Sequence, residues 1–123
     1  TLTGACMVAL GQLTAGLYAN EDALAERYGQ AAGRSGESYW HMPLDNRLRD
    51  SLKSSVADLK HTGEAYGGSI TAALFLREFV GQAPWIHVDI AGPAFLPGER
   101  EGEPRGGTGF GVRTAVEFIR SYA

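Results

Sequence analysis

The sequence has little cysteine, few clustered basic residues and no long apolar run. Its single cysteine, Cys6, excludes a disulfide within the chain and is typical of a reducing compartment, so a cytoplasmic location is expected. The 11 Lys and Arg residues are outnumbered by 14 Asp and Glu and are scattered. Phosphate binding needs clustered basic residues, so no nucleic-acid partner is expected. No apolar stretch approaches the roughly 20 residues that cross a bilayer, so no membrane partner is expected either.

Local metal-binding and phosphate-binding motifs are also lacking. His41, His61 and His87 are far apart, and no His-x-x-x-His or Cys-x-x-Cys pair occurs, which disfavours a histidine-based metal site. Two glycine clusters, at residues 67–68 and 106–111, precede predicted helices, an arrangement that can bind anions. Neither cluster matches a phosphate-binding loop, so a tight turn with close helix–sheet packing is the favoured interpretation.

What the sequence does contain is an alternation of short apolar runs and helical periodicity. The apolar runs predict buried strands, and recurrence of apolar residues at helical spacing predicts helices. This alternation favours an α/β layered fold in which helices flank a mixed, largely parallel sheet. The predicted strands are residues 2–10, 15–19 and 85–90, with 39–42 extended. The first predicted helix is capped by Asn20 and ends at Gly33 or Gly36, the second runs from Asp45 to about Leu59, and the third covers 69–80. A last helix is predicted from about Gly109, with Val112, Ala115, Val116 and Ile119 on one face, and residues 93–108 are predicted to be a surface loop.

Asp89 and Cys6 are the two candidate reactive side chains. A carboxylate on a buried strand must be paired or hydrogen-bonded, and for Asp89 we favour acceptance of backbone N–H groups from a neighbouring loop over a catalytic role. Cys6 lies within an apolar run, which indicates a buried structural thiol and not a nucleophile. The residues taken alone therefore predict a soluble α/β domain without a complete active site.

Five segments carry a family resemblance. They are Thr1-Leu2-Thr3-Gly4-Ala5, Asp58-Leu59-Lys60, Gly67-Gly68-Ser69-Ile70-Thr71-Ala72, the strand Trp85-Ile86-His87-Val88-Asp89-Ile90, and Ala91-Gly92. In this order they resemble the C-terminal part of the catalytic domain of the leucine aminopeptidase (cytosol aminopeptidase) family. The resemblance covers nearly the whole chain. It implies that residues 1–123 are one portion of a larger catalytic domain, and the apolar start without an initiator Met is expected on the same grounds.

The resemblance implies a soluble exopeptidase that removes N-terminal residues from peptides, uses two adjacent divalent metal ions (Mn or Zn) and assembles as a homo-hexamer. Such metal pairs lower the pKa of a bridging water and polarise the scissile carbonyl. In the family, the ligands are a lysine and several Asp and Glu residues, some of them in an Asn-Thr-Asp-Ala-Glu-Gly-Arg motif. That motif does not occur in this sequence. We therefore expect this chain to contain no metal ligand and no catalytic residue.

The resemblance also implies five substrate-binding positions. Thr1, Leu2 and Gly4 match a strand end that lines the first side-chain pocket and offers backbone hydrogen bonds to the substrate. Ala91 matches one wall of that pocket, and Ala94 matches a second, more variable wall where some members have the larger Met. The expected role of this chain is thus to supply pocket walls and scaffold to a leucyl-type aminopeptidase. The alternatives are a non-catalytic assembly or regulatory module and a nucleotide-binding domain, the latter disfavoured by the missing phosphate loop.

Overall fold

Three strands form the central sheet in the computed structural model, which describes residues 4–123. Strand β1 (Ala15–Ala19) lies between β2 (Tyr39–His41) and β3 (Ile86–Asp89). It is parallel to β2 and antiparallel to β3. Two further short strands, β4 (Phe95–Leu96) and β5 (Gly106–Gly107), form a separate antiparallel pair. The predicted mixed α/β fold is confirmed, with one parallel and one antiparallel pairing in the central sheet.

Helices cover both faces of this sheet. On one face, Ala25 and Tyr28 of α2 pack on Leu17 of β1, and Phe118 of α4 joins the same apolar cluster. Successive strand residues point to opposite faces of a sheet, so Gly16, the neighbour of Leu17, faces the other side. There, Cys6 of α1 lies against Gly16. None of the helices within residues 4–123 is long and apolar enough to span a bilayer. The helices are α1 (Ala5–Leu10), α2 (Asp22–Ser35), α3 (Gly68–Arg77) and α4 (Val112–Arg120), with a 3-10 helix at Asn46–Leu52.

The buried strand predicted over residues 2–10 is wrong for the part that the structure describes. Residues 5–10 form α1, and residues 1–3 lie outside the described residues. A short apolar run does not distinguish a strand from a helix by its periodicity, and Ala, Met and Leu have high helix propensity. Cys6 is 1% exposed whereas Val8 is 87% exposed, so this run presents one buried side chain to the sheet and leaves others in solvent.

The helix predicted from Asp45 to about residue 59 is much shorter and tighter. Asp45 caps it as expected, since its side chain accepts a hydrogen bond from the Arg47 amide at 3.0 Å. The segment that follows is the 3-10 helix, which ends at residue 52. Beyond it, the hydroxyl of Ser54 accepts hydrogen bonds from two later amides at 3.2 and 3.1 Å. These local bonds compete with helical hydrogen bonding, which explains the early end.

Asn20 connects two elements instead of capping α2. Helix α2 begins one residue after Glu21, while the Asn20 side chain donates to the Ala83 carbonyl and accepts from the Trp85 amide, both at 2.8 Å. At the other end, Gly36 has a φ of 72°, the left-handed conformation that ends helices, so of the two predicted ends, Gly33 and Gly36, the helix uses Gly36. Asn20 therefore anchors the loop that leads into β3.

The segment predicted to be a surface loop, residues 93–108, is more ordered than expected. It contains β4 and β5, and both Pro93 and Leu96 are buried. Helix α4 begins at Val112, not near Gly109, because Gly109 and Gly111 adopt positive φ angles of 68° and 93° that do not belong to a helix. The tight turn favoured for this glycine cluster is thus present just before α4.

Candidate functional site

The β3–β4 turn, residues 90–94, carries two of the predicted pocket positions, Ala91 and Ala94. Both alanines are half-buried, and Gly92 between them is buried. The turn is closed by the Ala94 amide, which donates to the Ile90 carbonyl at 3.1 Å. Both candidate pocket walls therefore lie on one short hydrogen-bonded turn at the end of a strand of the central sheet.

This turn packs against the residues that end α1. A Cβ added to Gly92 would lie 2.5 Å from the carbonyl oxygen of Gly11 and 3.1 Å from the Cα of Gln12. Real side chains do not approach backbone atoms so closely, so only glycine fits at this contact. The structure thus brings the C-terminal end of α1 and the β3–β4 turn together through backbone atoms.

The remaining predicted substrate-binding residues lie at the start of the chain. Gly4 is the N-cap of α1, is exposed, and accepts a hydrogen bond from the Val8 amide at 3.1 Å. Thr1 and Leu2 lie outside the described residues. Of the five positions, the structure therefore brings Ala91 and Ala94 together on one turn and places Gly4 at the end of α1 opposite to the end that packs on that turn.

Thr108 holds the β3–β4 turn from the β5 side. Its hydroxyl donates to the Pro93 carbonyl at 2.6 Å, and its amide donates to the Ala94 carbonyl at 3.0 Å. The same hydroxyl accepts from the Phe110 amide at 3.1 Å, so it acts as donor and acceptor at once. The sequence analysis missed Thr108: the glycine cluster around it indicated a turn, but not the contact with a carbonyl 15 residues earlier.

Asp89 has the structural role that we favoured for it. It is fully buried, and its Oδ1 accepts a hydrogen bond from the Ala91 amide at 3.1 Å. The backbone carbonyl of Asp89 also accepts a long contact, 3.9 Å, from the thiol of Cys6. Its Oδ2 makes no hydrogen bond to any residue that the structure describes. Asp89 therefore fixes Ala91 of the β3–β4 turn and leaves one buried oxygen for a further donor.

Aromatic rings line the same face of the sheet as Asp89. Tyr18 lies opposite His87 in the β1–β3 pair, with ring centroids 5.6 Å apart, and Trp85 stacks with His87 at 6.1 Å. Burial lowers the pKa of His87, and Asp89 opposes this only in part; burial raises the pKa of Tyr18 to about 12. The His87 and Tyr18 rings are therefore uncharged at neutral pH, which suits their packing against each other.

Cys6 is a structural thiol, as predicted, although it lies on a helix and not on a strand. Burial raises the pKa of the thiol, and the negative charge of Asp89 raises it further. The thiolate is the nucleophilic form of cysteine, so this environment suppresses reactivity. A Cβ added to Gly16 would lie only 2.8 Å from the sulfur of Cys6. Cys6 therefore packs α1 closely against β1.

The N-terminus of α4 binds a carboxylate from within the chain. Glu37 accepts hydrogen bonds from the Gly111 amide at 2.9 Å, the Thr114 amide at 3.0 Å and the Thr114 hydroxyl at 2.5 Å. Burial by itself raises the pKa of Glu37, but these bonds and the nearby Arg113 outweigh it, and the pKa is lowered. The Gly111 and Thr114 amides at this helix end are therefore already satisfied by Glu37 and are not free for an external phosphate.

The three histidines do not converge. His41 lies at the exposed end of β2, His61 lies in an exposed loop, and His87 lies between aromatic rings. Within residues 4–123, no group of three or more His, Cys, Asp or Glu side chains is arranged to hold a metal ion. Glu37 instead caps α4, and Cys6 packs α1 on β1.

A mixed sheet flanked by helices, with a hydrogen-bonded turn of small residues after its edge strand β3, defines an α/β domain. The model of the cytosol aminopeptidase family, catalytic domain, matches residues 1–116, and the chain belongs to this family.

Known relatives agree over nearly the whole chain. The chain is 55% identical over 121 residues to "Probable cytosol aminopeptidase" of Aquifex aeolicus (strain VF5), covering 97% of this chain and 24% of the relative. It is 52% identical to the protein of the same name from Synechococcus sp. (strain RCC307), covering 100% of this chain and 25% of the relative. The chain therefore spans about a quarter of the length of these curated relatives.

Solved structures show the same correspondence. The bottromycin maturation enzyme BotP in complex with Mn superposes with a TM-score of 0.92 and is 43% identical, covering 98% of this chain and 27% of that one. A mutant of tomato leucine aminopeptidase superposes with a TM-score of 0.87 and is 45% identical, covering 95% of this chain and 22% of that one. At these identities the fold and the order of the elements are shared.

Proposed function

We propose that the full-length protein containing this chain is a leucyl-type aminopeptidase that hydrolyses N-terminal residues from peptides. Residues 1–123 would form the C-terminal portion of its catalytic domain. The observation that carries this proposal is the match of the catalytic-domain model to residues 1–116, with 55% identity to a cytosol aminopeptidase across the same region.

Two divalent metal ions, Mn or Zn, are proposed for the full-length enzyme. The residues described here do not fit such a pair, because no metal-binding cluster occurs within residues 4–123. The ligands are therefore proposed to lie in another part of the protein, and no reaction step is assigned to this chain. The solved structure of the relative BotP in complex with Mn supports the use of a divalent metal.

The role of this chain is proposed to be substrate positioning. Ala91 and Ala94 would form apolar walls of the pocket for the first side chain, and backbone groups near Thr1, Leu2 and Gly4 would bind the peptide. The support for the walls is their half-buried position on a turn fixed by hydrogen bonds and backbone contacts. Small side chains on a rigid turn leave room for a large substrate side chain, and shape then selects it.

Location and assembly are proposed from the family. The relatives are named cytosol aminopeptidases, which supports a cytoplasmic location. A homo-hexamer, with the rest of the polypeptide and a peptide substrate as partners, is the assembly that we propose for the full-length protein.

The test is hydrolysis of leucine amide by the purified full-length protein after dialysis against Mn or Zn. We expect metal-dependent release of leucine that a chelator abolishes, and no release by residues 1–123 alone. A full-length protein that hydrolyses no N-terminal amide with either metal would contradict the proposal and support a non-catalytic assembly or regulatory module.

A further inference from the structure

We propose that Thr108 is a positioning residue that sets the side-chain selectivity of the enzyme. It acts through the β3–β4 turn, whose Ala91 and Ala94 are the proposed pocket walls. The inference rests on the proposed function, because selectivity has a meaning only if this turn lines a substrate pocket.

The contacts of Thr108 fix two successive peptide units of the turn. The hydroxyl binds the Pro93 carbonyl at 2.6 Å, and the amide binds the Ala94 carbonyl at 3.0 Å. Pro93 is buried and Thr108 is half-buried, and both line a cavity of about 460 Å³, so there is open space beside this contact into which the turn can shift. A carbonyl that loses its partner at such a site tends to move to find another one. The orientation of the Pro93–Ala94 peptide therefore depends on the Thr108 side chain.

Thr108 is itself held by a rigid neighbour. Its hydroxyl accepts from the Phe110 amide at 3.1 Å, and the Phe110 ring packs on Tyr39 with centroids 5.0 Å apart. The next residue, Gly111, donates to the buried carboxylate of Glu37 at 2.9 Å. The start of α4 thus provides a fixed point from which Thr108 positions the turn.

On its other side the turn has no room to move. Gly92 already contacts the backbone of Gly11 and Gln12 so closely that no Cβ fits. The turn is therefore clamped between α1 and Thr108, and removal of the hydroxyl leaves displacement away from α1 as the available motion. Because apolar pockets discriminate substrates by close fit, a small displacement of Ala94 changes selectivity more than it changes catalysis in general.

The experiment replaces the hydroxyl in the full-length enzyme by Thr108→Val, which keeps the shape of the side chain and removes its hydrogen bonds. Values of kcat and KM are measured for leucine and alanine amides. We expect the ratio of kcat/KM for leucine over alanine to change by at least about threefold, the effect of one ordinary hydrogen bond. Thr108→Ser, which keeps the hydroxyl, should restore the ratio, and metal content should be the same in all variants.

The matched control is Thr14→Val, because the Thr14 hydroxyl also makes a hydrogen bond, 3.0 Å to Ser38, but outside the turn. Its ratio should equal that of the unmodified enzyme. An unchanged ratio in folded Thr108→Val, or an equal loss for both substrates, would overturn the inference while leaving the proposed function intact. If the valine variant does not fold, Thr108→Ala is judged by the same ratio. Absence of hydrolysis by the unmodified enzyme would instead contradict the proposed function.

Discussion

Glu37 is a carboxylate whose side chain is 3% exposed and which satisfies two amides and one hydroxyl at the start of α4. Negative charge at this position is stabilised by the helix dipole and by the hydrogen bonds to the charged form. Since Gly111 itself has no side chain for capping, the cap comes from a residue that follows α2. The Glu37 side chain therefore links the end of α2 to the start of α4.

Replacing Glu37 by Gln should lower the free energy of unfolding by about 1–3 kcal/mol at neutral pH, because one charge-assisted acceptor is lost. The pKa of Glu37 is lowered from 4.5 in the folded state, so its stabilising contribution is present above pH 4.5 and is lost as the pH falls through the folded value. The stability difference between the two proteins should thus shrink in acid. Urea denaturation at several pH values measures it.

The control for this prediction is Arg113→Gln. The guanidinium of Arg113 lies 3.8 Å from Glu37, but its side chain is 71% exposed. Exposed ion pairs contribute roughly 0–1 kcal/mol, so this variant should remain close to the unmodified protein. A difference for Glu37→Gln that stays constant from neutral to acid pH would show that the charge of Glu37 is not what stabilises α4.

Ala94→Met in the full-length enzyme should change which N-terminal side chain is accepted, with metal content unchanged. The larger side chain would fill part of the proposed pocket, and apolar pockets discriminate by about 1–3 kcal/mol per methylene. The measurement is kcat/KM for leucine, methionine and alanine amides. Ala57→Met, at an exposed loop position, is the matched control. If the ranking of the three substrates is the same in Ala94→Met, residue 94 is not a pocket wall.

At the scale of elements, the sequence predicted those whose patterns are local. Helix α2, which ends at one of its two predicted glycines, and strands β1 and β3 have clear periodicity or bounded apolar runs, and all three were predicted as the element types that are observed. Helix α1 was mistaken for a strand because its apolar run is too short to show a period. Strands β4 and β5 were missed because their two-residue pairing depends on partners ten residues or more apart, which composition does not reveal.

The candidate site likewise contains residues that were predicted from the sequence and contacts that only the structure shows. Ala91 and Ala94 were predicted as pocket walls because they lie in a contiguous segment that resembles a family. The contacts that fix their turn were not found, because Gly92 meets Gly11 and Thr108 meets Pro93 only after the chain has folded. Sequence reasoning thus proposed the pocket walls, and the structure shows the contacts that hold their turn in place.

Gly92→Ala tests the packing of α1 against the β3–β4 turn. The new methyl would lie 2.5 Å from the Gly11 carbonyl oxygen, so the backbone must shift. Overpacking of this kind costs about 1–3 kcal/mol of stability, which urea denaturation would detect. Gly98→Ala is the matched control, because a Cβ there meets nothing within 4 Å. Equal stability of the two variants would mean that α1 is free to move away from the turn.

At the scale of the whole molecule, the apolar residues of α4 divide into two sets. Phe118 packs in the core with Tyr28, whereas Val112, Val116 and Ile119 are exposed. The exposed three are spaced so that they share one face of the helix. The sequence analysis placed them together correctly, but they do not face the central sheet. Val112, Val116 and Ile119 therefore form an apolar stripe on the surface of the folded chain, the α4 stripe.

We expect residues 1–123, prepared alone, to self-associate through this stripe. Exposed apolar faces of this kind favour association, because each Å² of apolar surface removed from water stabilises the complex by roughly 25 cal/mol. Sedimentation velocity at micromolar concentration should show species larger than a monomer of 13.1 kDa. Ile119→Lys should shift the distribution toward monomer, whereas Gln30→Lys, which adds the same charge at an exposed position of α2, should not. A monomeric unmodified chain with a cooperative thermal transition would show that the α4 stripe is compatible with an independent, soluble module.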